Sequence, residues 1–291
     1  MIAVELFKLV RRPRTWISIV LLCALPVAVA IFIAVTHLAP PPGQGAAFLS
    51  AVVQDGSLFP AAALALVLPV FLPVAVALVA GDSIAGEATS GTLRYLLVRP
   101  VGRTRLLAAK LVTVIVYVLL AVVSVTLTSY ITGVALFGSA PPEAVGRPGN
   151  LQAGIPTGGV QAGGSATSLS GARLTVMQLI ERIAGAVALI TVSMLGVAAI
   201  ALFLSTVTDS VLGAAFGALA ALVGSEVLVT LNAAAVIQPY LPTRYWLAWI
   251  DFFRQPVFWR DIQRGFGIQV VYVVVFLGAA WANFATKDIT A

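Results

Sequence analysis

The chain carries few side chains that could perform acid–base, nucleophilic or metal chemistry. Its 291 residues include 11 Asp and Glu, one His and one Cys. His37 stands alone at the end of one apolar run. Cys23 lies inside that run, and a single cysteine excludes a disulfide framework or a cysteine-based metal site. An integral membrane enzyme would need clustered Asp, His or Glu at membrane depth. We therefore expect no enzymatic activity, no catalytic residue, and no metal or cofactor bound by this chain.

One carboxylate and one row of hydroxyl groups lie inside apolar segments. Glu226 is predicted near the far end of a span, where an ionisable residue marks an ion or proton site unless it reaches the interface or pairs with an arginine of the next loop. Thr113, Tyr117, Ser124 and Thr128 follow helical spacing and form one polar stripe. The stripe faces either the bundle interior or a substrate path, or its hydroxyls bond their own backbone one turn back. We favour the last interpretation.

These residues belong to a chain that is too apolar for a soluble domain. Hydrophobic residues make up 60% of it and the mean hydropathy is +1.04, whereas a soluble domain is about half apolar. Arranged in long runs, this excess predicts an all-α integral membrane protein. The net charge is +6, but the cations mostly flank apolar runs, so orientation in the membrane explains them better than nucleic-acid binding does.

The apolar runs predict six spans that together form a single transmembrane domain over residues 1–291. Before the first span, Ile2, Leu6 and Leu9 fit one face of an amphipathic helix, and Glu5 and Lys8 fit the other, as expected for a helix lying in the membrane interface. In the second span, two prolines four residues apart remove backbone donors and predict a distortion. The predicted spans are residues 16–35, 59–80, 111–137, 183–204, 211–231 and 266–284.

Two connections on the outer side have distinct compositions. Residues 138–171 are rich in Gly, Ser, Pro and Ala and almost free of charge, and we assign no regular structure to this extracytoplasmic loop. Residues 232–265 are aromatic-rich, which predicts one or two short helices in the outer membrane interface.

Small residues mark one face of the fifth predicted span. Gly213 and Gly217, with Ala221 near the same face, would let a second helix approach closely. We regard these three residues as candidates for a dimer interface.

Residues 81–110 form a charged loop between the second and third spans. Ser90 can cap a short helix, and Leu93, Leu96 and Leu97 then fall on one face of it. Pro100 ends the helix, because the residue before a proline avoids helical backbone angles. The leucine face predicts a docking element, whereas a solvated loop that only fixes the orientation is the simpler alternative.

The loop resembles the conserved loop of ABC-2-type transporter permeases, with Gly102 in place of a frequent serine. In that family this loop forms the coupling helix that sits on the ATPase subunit. The resemblance implies that Glu87 and the residues around the leucine face contact the ATPase, with Arg94 and Arg99 at its rim. The matching residues are Glu87, Gly91, Thr92, Leu93, Leu96, Leu97, Pro100, Arg103, Lys110 and Leu111.

The resemblance also implies an N-terminal elbow helix, re-entrant helices before the last span, and the function of a permease subunit in an ATP-driven exporter. Two permease chains, identical or homologous, would form the pathway above separate ATPase subunits that bind ATP and Mg²⁺. This chain has no phosphate-binding Gly-x-x-x-x-Gly-Lys-Ser/Thr motif of its own. The alternative is a secondary transporter that uses Glu226 as its ion or proton site, although no internal repeat of the kind typical of that class is evident. The sequence does not indicate which substrate would be transported.

The distribution of cations predicts the orientation. Ten cations fall on the side of the termini and seven on the opposite side, so the positive-inside rule favours cytoplasmic termini in a bacterial-type plasma membrane. The side of the termini carries Lys8, Arg11, Arg12, Arg14, Arg94, Arg99, Arg103, Arg105, Lys110 and Lys287.

Overall fold

The structure, a computed structural model, describes residues 2–36, 48–49, 52, 55–89, 103–138 and 175–286. Over these ranges the chain is helical and contains no strand. Six helices in this part of the chain are long and apolar enough to cross a membrane. The prediction of an all-α protein with six spans is therefore confirmed, and the fold indicates a multi-pass membrane protein.

Most of the predicted spans correspond to helices that extend beyond the apolar run. For example, the third spanning helix begins at Arg103 rather than near residue 111. Short 3₁₀ helices cover Gly56–Leu58, Asn232–Ala234, Gln238–Tyr240 and Trp246–Phe253. The α-helices are α1 (Ile2–Arg11), α2 (Pro13–Thr36), α3 (Phe59–Val67), α4 (Phe71–Thr89), α5 (Arg103–Phe137), α6 (Val176–Val207), α7 (Val211–Thr230) and α8 (Trp259–Thr286).

Local sequence explains where several helices begin. Thr175 and Gln178 form a reciprocal capping box at the start of α6, in which each side chain accepts a hydrogen bond from the other residue's backbone N–H. Ser210 caps α7 by accepting a hydrogen bond from the backbone N–H of Gly213 at 3.1 Å. Both caps lie at helix ends, where backbone donors have no partner within the helix.

The second predicted span differs from the structure, because two helices occupy its place. Helix α3 ends at Val67, a turn covers residues 68–70, and α4 begins at Phe71. Pro69 and Pro73 explain the break, since each lacks an N–H and its ring clashes with the carbonyl four residues earlier. Helix α4 also continues to Thr89, so residues 81–89 of the predicted loop are helical.

Helix α6 lies at the centre of the bundle and is the most buried of the six spanning helices. It packs mainly against α4, α7 and α8, whereas α5 packs mainly against α2 and α3. The starts of α2, α5 and α7 meet the ends of α4, α6 and α8 at one end of the bundle, which we call the charged end. We call the opposite end, where residues 232–258 connect α7 to α8, the aromatic end.

The aromatic end is held by buried side chains. Trp249 is fully buried and Phe253 nearly so, and their rings are in edge-on contact. The buried amide of Gln269 donates to the carbonyl of Pro242 at 2.6 Å. The short 3₁₀ helix that carries Trp249 and Phe253 packs against α6 and α8. Tyr240 and Trp259 remain exposed on the surface of the bundle.

Candidate functional site

Four ionised side chains from three helices meet at the charged end. We call Glu5, Lys8, Glu87 and Lys110 the ionic cluster. Lys110 Nζ lies 2.8 Å from Glu87 Oε1 and 3.3 Å from Glu5 Oε2. Lys8 Nζ lies 2.9 Å from Glu5 Oε1 and 3.3 Å from the same Glu87 oxygen. Each ammonium group therefore bridges both carboxylates.

The ionic cluster is largely removed from solvent. Glu5, Glu87 and Lys110 are 6%, 4% and 3% exposed, respectively. Burial of charged groups is costly unless the charges are paired and hydrogen-bonded. The arrangement of two cations around two anions meets that condition.

The cluster perturbs the titration of its members on α1. Burial by itself would raise the pKa of Glu5, but the ammonium groups of Lys110 and Lys8 outweigh it, and the pKa lies below its ordinary value. Burial would likewise lower the pKa of Lys8, but its contacts with Glu5 and Glu87 outweigh that effect and raise it. Both groups are thus held in their charged forms.

The N-terminal helix lies differently from the prediction. The expected polar face of α1 placed Glu5 toward water, but Glu5 is buried in the bundle together with Leu9. The apolar residues Ile2, Phe7 and Val10 are instead exposed on the surface. The reason is electrostatic, because Glu5 reaches the ammonium group of Lys110, which lies on α5.

A second group of charges lies beside the cluster. Asp82 Oδ2 accepts a hydrogen bond from Arg12 Nη1 at 2.8 Å, and Asp82 Oδ1 lies 3.7 Å from Arg14 Nη1. These contacts connect the junction between α1 and α2 to the middle of α4.

Ser205 of α6 positions the last turns of α4. Its buried hydroxyl accepts hydrogen bonds from the backbone N–H groups of Ile84 and Ala85 at 3.2 and 2.8 Å, and it donates to the carbonyl of Gly81 at 2.7 Å. A side chain inserted at this point of a helix holds the helix at a defined place and angle. Ser205 thus ties the acidic end of α4 to the central helix.

A cavity of about 850 Å³ opens at the charged end among α1, α2, α4, α5 and α7. Charged side chains line it near the helix ends, at what we call its mouth, and apolar side chains line it further along α2 and α4. The lining residues that matter below are Lys8, Arg12, Arg14, Leu21, Leu78 and Asp82.

The ionic cluster joins α1, α4 and α5 through paired charges. Glu87 precedes residues 90–102 by one turn of helix, and Lys110 follows them by two turns. The cluster ties both flanks of that segment to α1. Within the described ranges, no group of three or more His, Cys, Asp or Glu side chains could hold a metal ion.

Only one of the predicted ATPase-coupling residues falls in the described part of the chain. Glu87 lies at the end of α4, in the ionic cluster. The other predicted coupling residues lie outside the described residues. They are Gly91, Thr92, Leu93, Arg94, Leu96, Leu97, Arg99 and Pro100.

The predicted polar stripe of α5 divides among different partners. Thr113 donates to the carbonyl of Ala109, one turn back, at 2.9 Å. Tyr117 is fully buried and its hydroxyl lies 2.8 Å from that of Ser18 on α2. Ser124 and Thr128, further along α5, are half-buried. The stripe thus lies partly in the contact between α5 and α2.

The other predicted sites lie at separate places on α7. Glu226 is exposed, one turn before the end of the helix and away from the ionic cluster. A side chain at Gly213 would contact Ser210 of the same helix cap, and one at Gly217 would contact Leu204 of α6. Ala221 is exposed. Gly213 is also exposed, and Gly217 is half-buried beside Leu204.

Sequence reasoning missed the cluster as a unit. The sequence alone places Lys110 in the family motif and among the cations that favour the orientation, and it indicates no role for Asp82 or Ser205. A usable signal was present, because Glu5, Asp82 and Glu87 are three of only 11 acidic residues in the chain. Acidic groups in so apolar a sequence require partners.

The comparison with known proteins identifies the family. Residues 25–290 match the model of a protein family of unknown function, DUF2705. The chain belongs to this family. The match covers α3 to α8 and the second half of α2, whereas α1 and the first half of α2 precede it. No curated protein matches the chain.

Proposed function

We propose that this DUF2705 protein is the permease subunit of an ATP-driven ABC exporter. The observation that carries the proposal is the position of the resembling loop. Residues 90–102 of this loop are flanked by Glu87 and Lys110, which form one buried ion pair. A force applied to this loop would therefore be transmitted to α4, α5 and α1 together.

In the proposed mechanism, ATP-driven closure of separate ATPase subunits moves the segment at residues 90–102. Such a movement changes the equilibrium between access states only if the ATPase contacts differ in the two states. The ionic cluster makes the end of α4 and the start of α5 move as a unit, and Ser205 passes the movement to α6. The bound nucleotide and Mg²⁺ belong to the ATPase.

The proposed assembly contains two permease chains, identical or homologous, and two ATPase subunits. It lies in a bacterial-type plasma membrane with both termini in the cytoplasm. This chain supplies the pathway and acts on no substrate as an enzyme. If one permease chain is found per complex, or no ATPase copurifies from the native membrane, the assembly is wrong.

The decisive test changes one leucine of the proposed coupling face. Leu96→Asp places a charge in the contact with the ATPase, where an unpaired charge is costly. We expect loss of transport and loss of ATPase copurification, with normal membrane insertion. Leu96→Met, which keeps the apolar volume, is the matched control and should retain both activities.

Unchanged transport in Leu96→Asp would overturn the coupling role. The secondary-transporter alternative would then be tested by Glu226→Gln, which should abolish ion-driven uptake if that alternative holds. The exposed position of Glu226 does not favour it.

The orientation is tested separately. In a Cys23→Ala background, a cysteine at Ser165 should react with a membrane-impermeant reagent in intact cells, and one at Arg103 should react only after lysis. Labelling of both from outside would contradict cytoplasmic termini.

A further inference from the structure

The cavity at the charged end combines two chemical environments. Lys8, Arg12, Arg14 and Asp82 line its mouth, and Leu21 and Leu78 belong to its apolar wall. Its volume of about 850 Å³ lies within the usual range of about 300–1,000 Å³ for ligand sites. A ligand with a charged head and a hydrocarbon chain fits such a lining.

The net charge at the mouth of the cavity determines whether an anionic or a cationic head group fits there. Lys8 and Lys110 are balanced by the two carboxylates of the ionic cluster. The remaining charges are Arg12 and Arg14 against the single carboxylate of Asp82, which leaves one positive charge in excess. An anionic group is therefore the complementary ligand.

Hydrogen-bond donors remain available there. The Arg14 side chain is 81% exposed, and its nitrogen lies 3.7 Å from Asp82, which is beyond hydrogen-bond distance. A guanidinium group has five N–H donors in a fork that matches a phosphate. Arg12 uses one of its donors on Asp82.

The charged and the apolar parts of the cavity lie at different positions along α2, which fits a lipid better than a soluble anion. Arg12 directly precedes α2, the first spanning helix, and Arg14 lies in its first turn, where lipid headgroups are found. Leu21 lies seven residues further along α2, which is about 10 Å deeper at 1.5 Å per residue. The head group and the chain of one lipid would thus meet the arginines and the leucines in the correct order.

We propose that this cavity binds one anionic phospholipid, with its phosphate at Arg12 and Arg14 and an acyl chain against Leu21 and Leu78. The lipid fills the space beside the junction of α1 and α2 and so supports the elbow against α4. The proposal concerns the permease chain alone and does not depend on an ATPase partner, so it can fail or hold independently of the proposed function.

The test measures thermal stability of the purified, delipidated full-length chain in neutral detergent. Added dioleoyl phosphatidylglycerol should raise Tm more than dioleoyl phosphatidylcholine does, and native mass spectrometry should show one tightly retained phosphatidylglycerol. Glycerophosphoglycerol, which has the head group without chains, distinguishes a lipid site from a free-phosphate site and should give no shift.

Matched arginine variants locate the site. Arg14→Gln should weaken phosphatidylglycerol binding about tenfold, which corresponds to the loss of one charge-assisted contact of about 1.4 kcal/mol. Arg11→Gln is the control, because Arg11 stacks over Phe7 on the outer surface of α1 and does not line the cavity. Leu78→Trp, which fills the apolar wall, should also weaken binding without removing a charge.

Each contrary result has a defined meaning. Equal shifts with the two lipids would overturn anion selectivity, and an equal effect of Arg11→Gln would reduce the site to general surface charge. A shift with glycerophosphoglycerol as large as that with the lipid would overturn the acyl-chain contact. Arg14 is so exposed that its replacement should leave folding intact, which circular dichroism verifies.

Discussion

Lys110 Nζ and Glu87 Oε1 lie 2.8 Å apart with side chains that are 3% and 5% exposed. The two residues join α5 to α4 from opposite sides of residues 90–102. Removing Lys110 leaves two buried carboxylates with Lys8 as their shared ammonium group, and breaking a buried ion pair costs up to about 3–5 kcal/mol. Lys110→Met should therefore lower the thermal midpoint of the purified chain strongly.

The matched control for that prediction is Lys8→Met. Lys8 contacts the same two carboxylates, but its side chain is 37% exposed, so water can replace part of what is lost. A loss of stability in Lys8→Met as large as that in Lys110→Met would contradict a role for burial.

Glu5 predicts how the stability of α1 depends on pH. Because its pKa is lowered in the folded chain, its stabilising contribution is complete above the ordinary value of about 4.5 and is lost as pH falls through the folded pKa. Melting curves of the wild type and Glu5→Gln should differ at neutral pH and converge in acid. A difference that does not shrink as pH falls from neutral into the acid range would show that the stabilisation is not ionic.

The titration of Lys8 predicts how stability depends on pH in the alkaline range. Its raised pKa means that its contribution is complete below the ordinary value of about 10.5 and is lost as pH rises through the folded pKa. The melting difference between the wild type and Lys8→Met should therefore be constant from neutral pH to about pH 10 and shrink above it. A difference that declines already between pH 7 and 9 would contradict the raised pKa.

The hydrogen bonds between α4 and the Ser205 hydroxyl of α6 predict a loss of stability when that hydroxyl is removed. Ser205→Ala leaves two buried backbone N–H groups of α4 without this acceptor, which should cost about 1–3 kcal/mol. Ser193→Ala is the control on the same helix, since the Ser193 hydroxyl bonds only the carbonyl of Leu189 on its own helix. Urea or thermal unfolding should separate the two variants, and equal losses would contradict the bridging role.

Close backbone packing at the aromatic end gives a further prediction. A Cβ atom at Gly133 of α5 would overlap the carbonyl oxygen of Gly56 and the side chain of Phe59. Gly133→Ala should therefore destabilise the chain by about 1–3 kcal/mol. Gly278→Ala on α8 meets nothing within 4 Å and should be neutral or slightly stabilising, because alanine favours helix more than glycine does. The thermal midpoint of Gly133→Ala should therefore be lower than that of Gly278→Ala.

The sequence predicted the fold class well and the charged site poorly. Run length and hydropathy are properties of single segments, so six spans could be found without knowledge of how they pack. The burial of Glu5 could not, because helical periodicity places a carboxylate toward water unless a cation on another helix competes for it. That cation, Lys110, is more than a hundred residues away, and only the packing of α1 on α5 brings the two together.

The sequence predicts a distortion at Pro69 and Pro73. The effect of the resulting break between α3 and α4 depends on which helices pack against each of them. Because α3 packs mainly on α5 and α4 packs mainly on α6 and α7, the helices on the two sides of the turn belong to different packing groups. The turn at residues 68–70 is thus the covalent link across the boundary between these groups. Sliding of one group past the other requires only torsional changes at the turn and leaves both helices intact. The turn thus separates two packing groups that the ion pair of Glu87 and Lys110 joins again at the far end of α4.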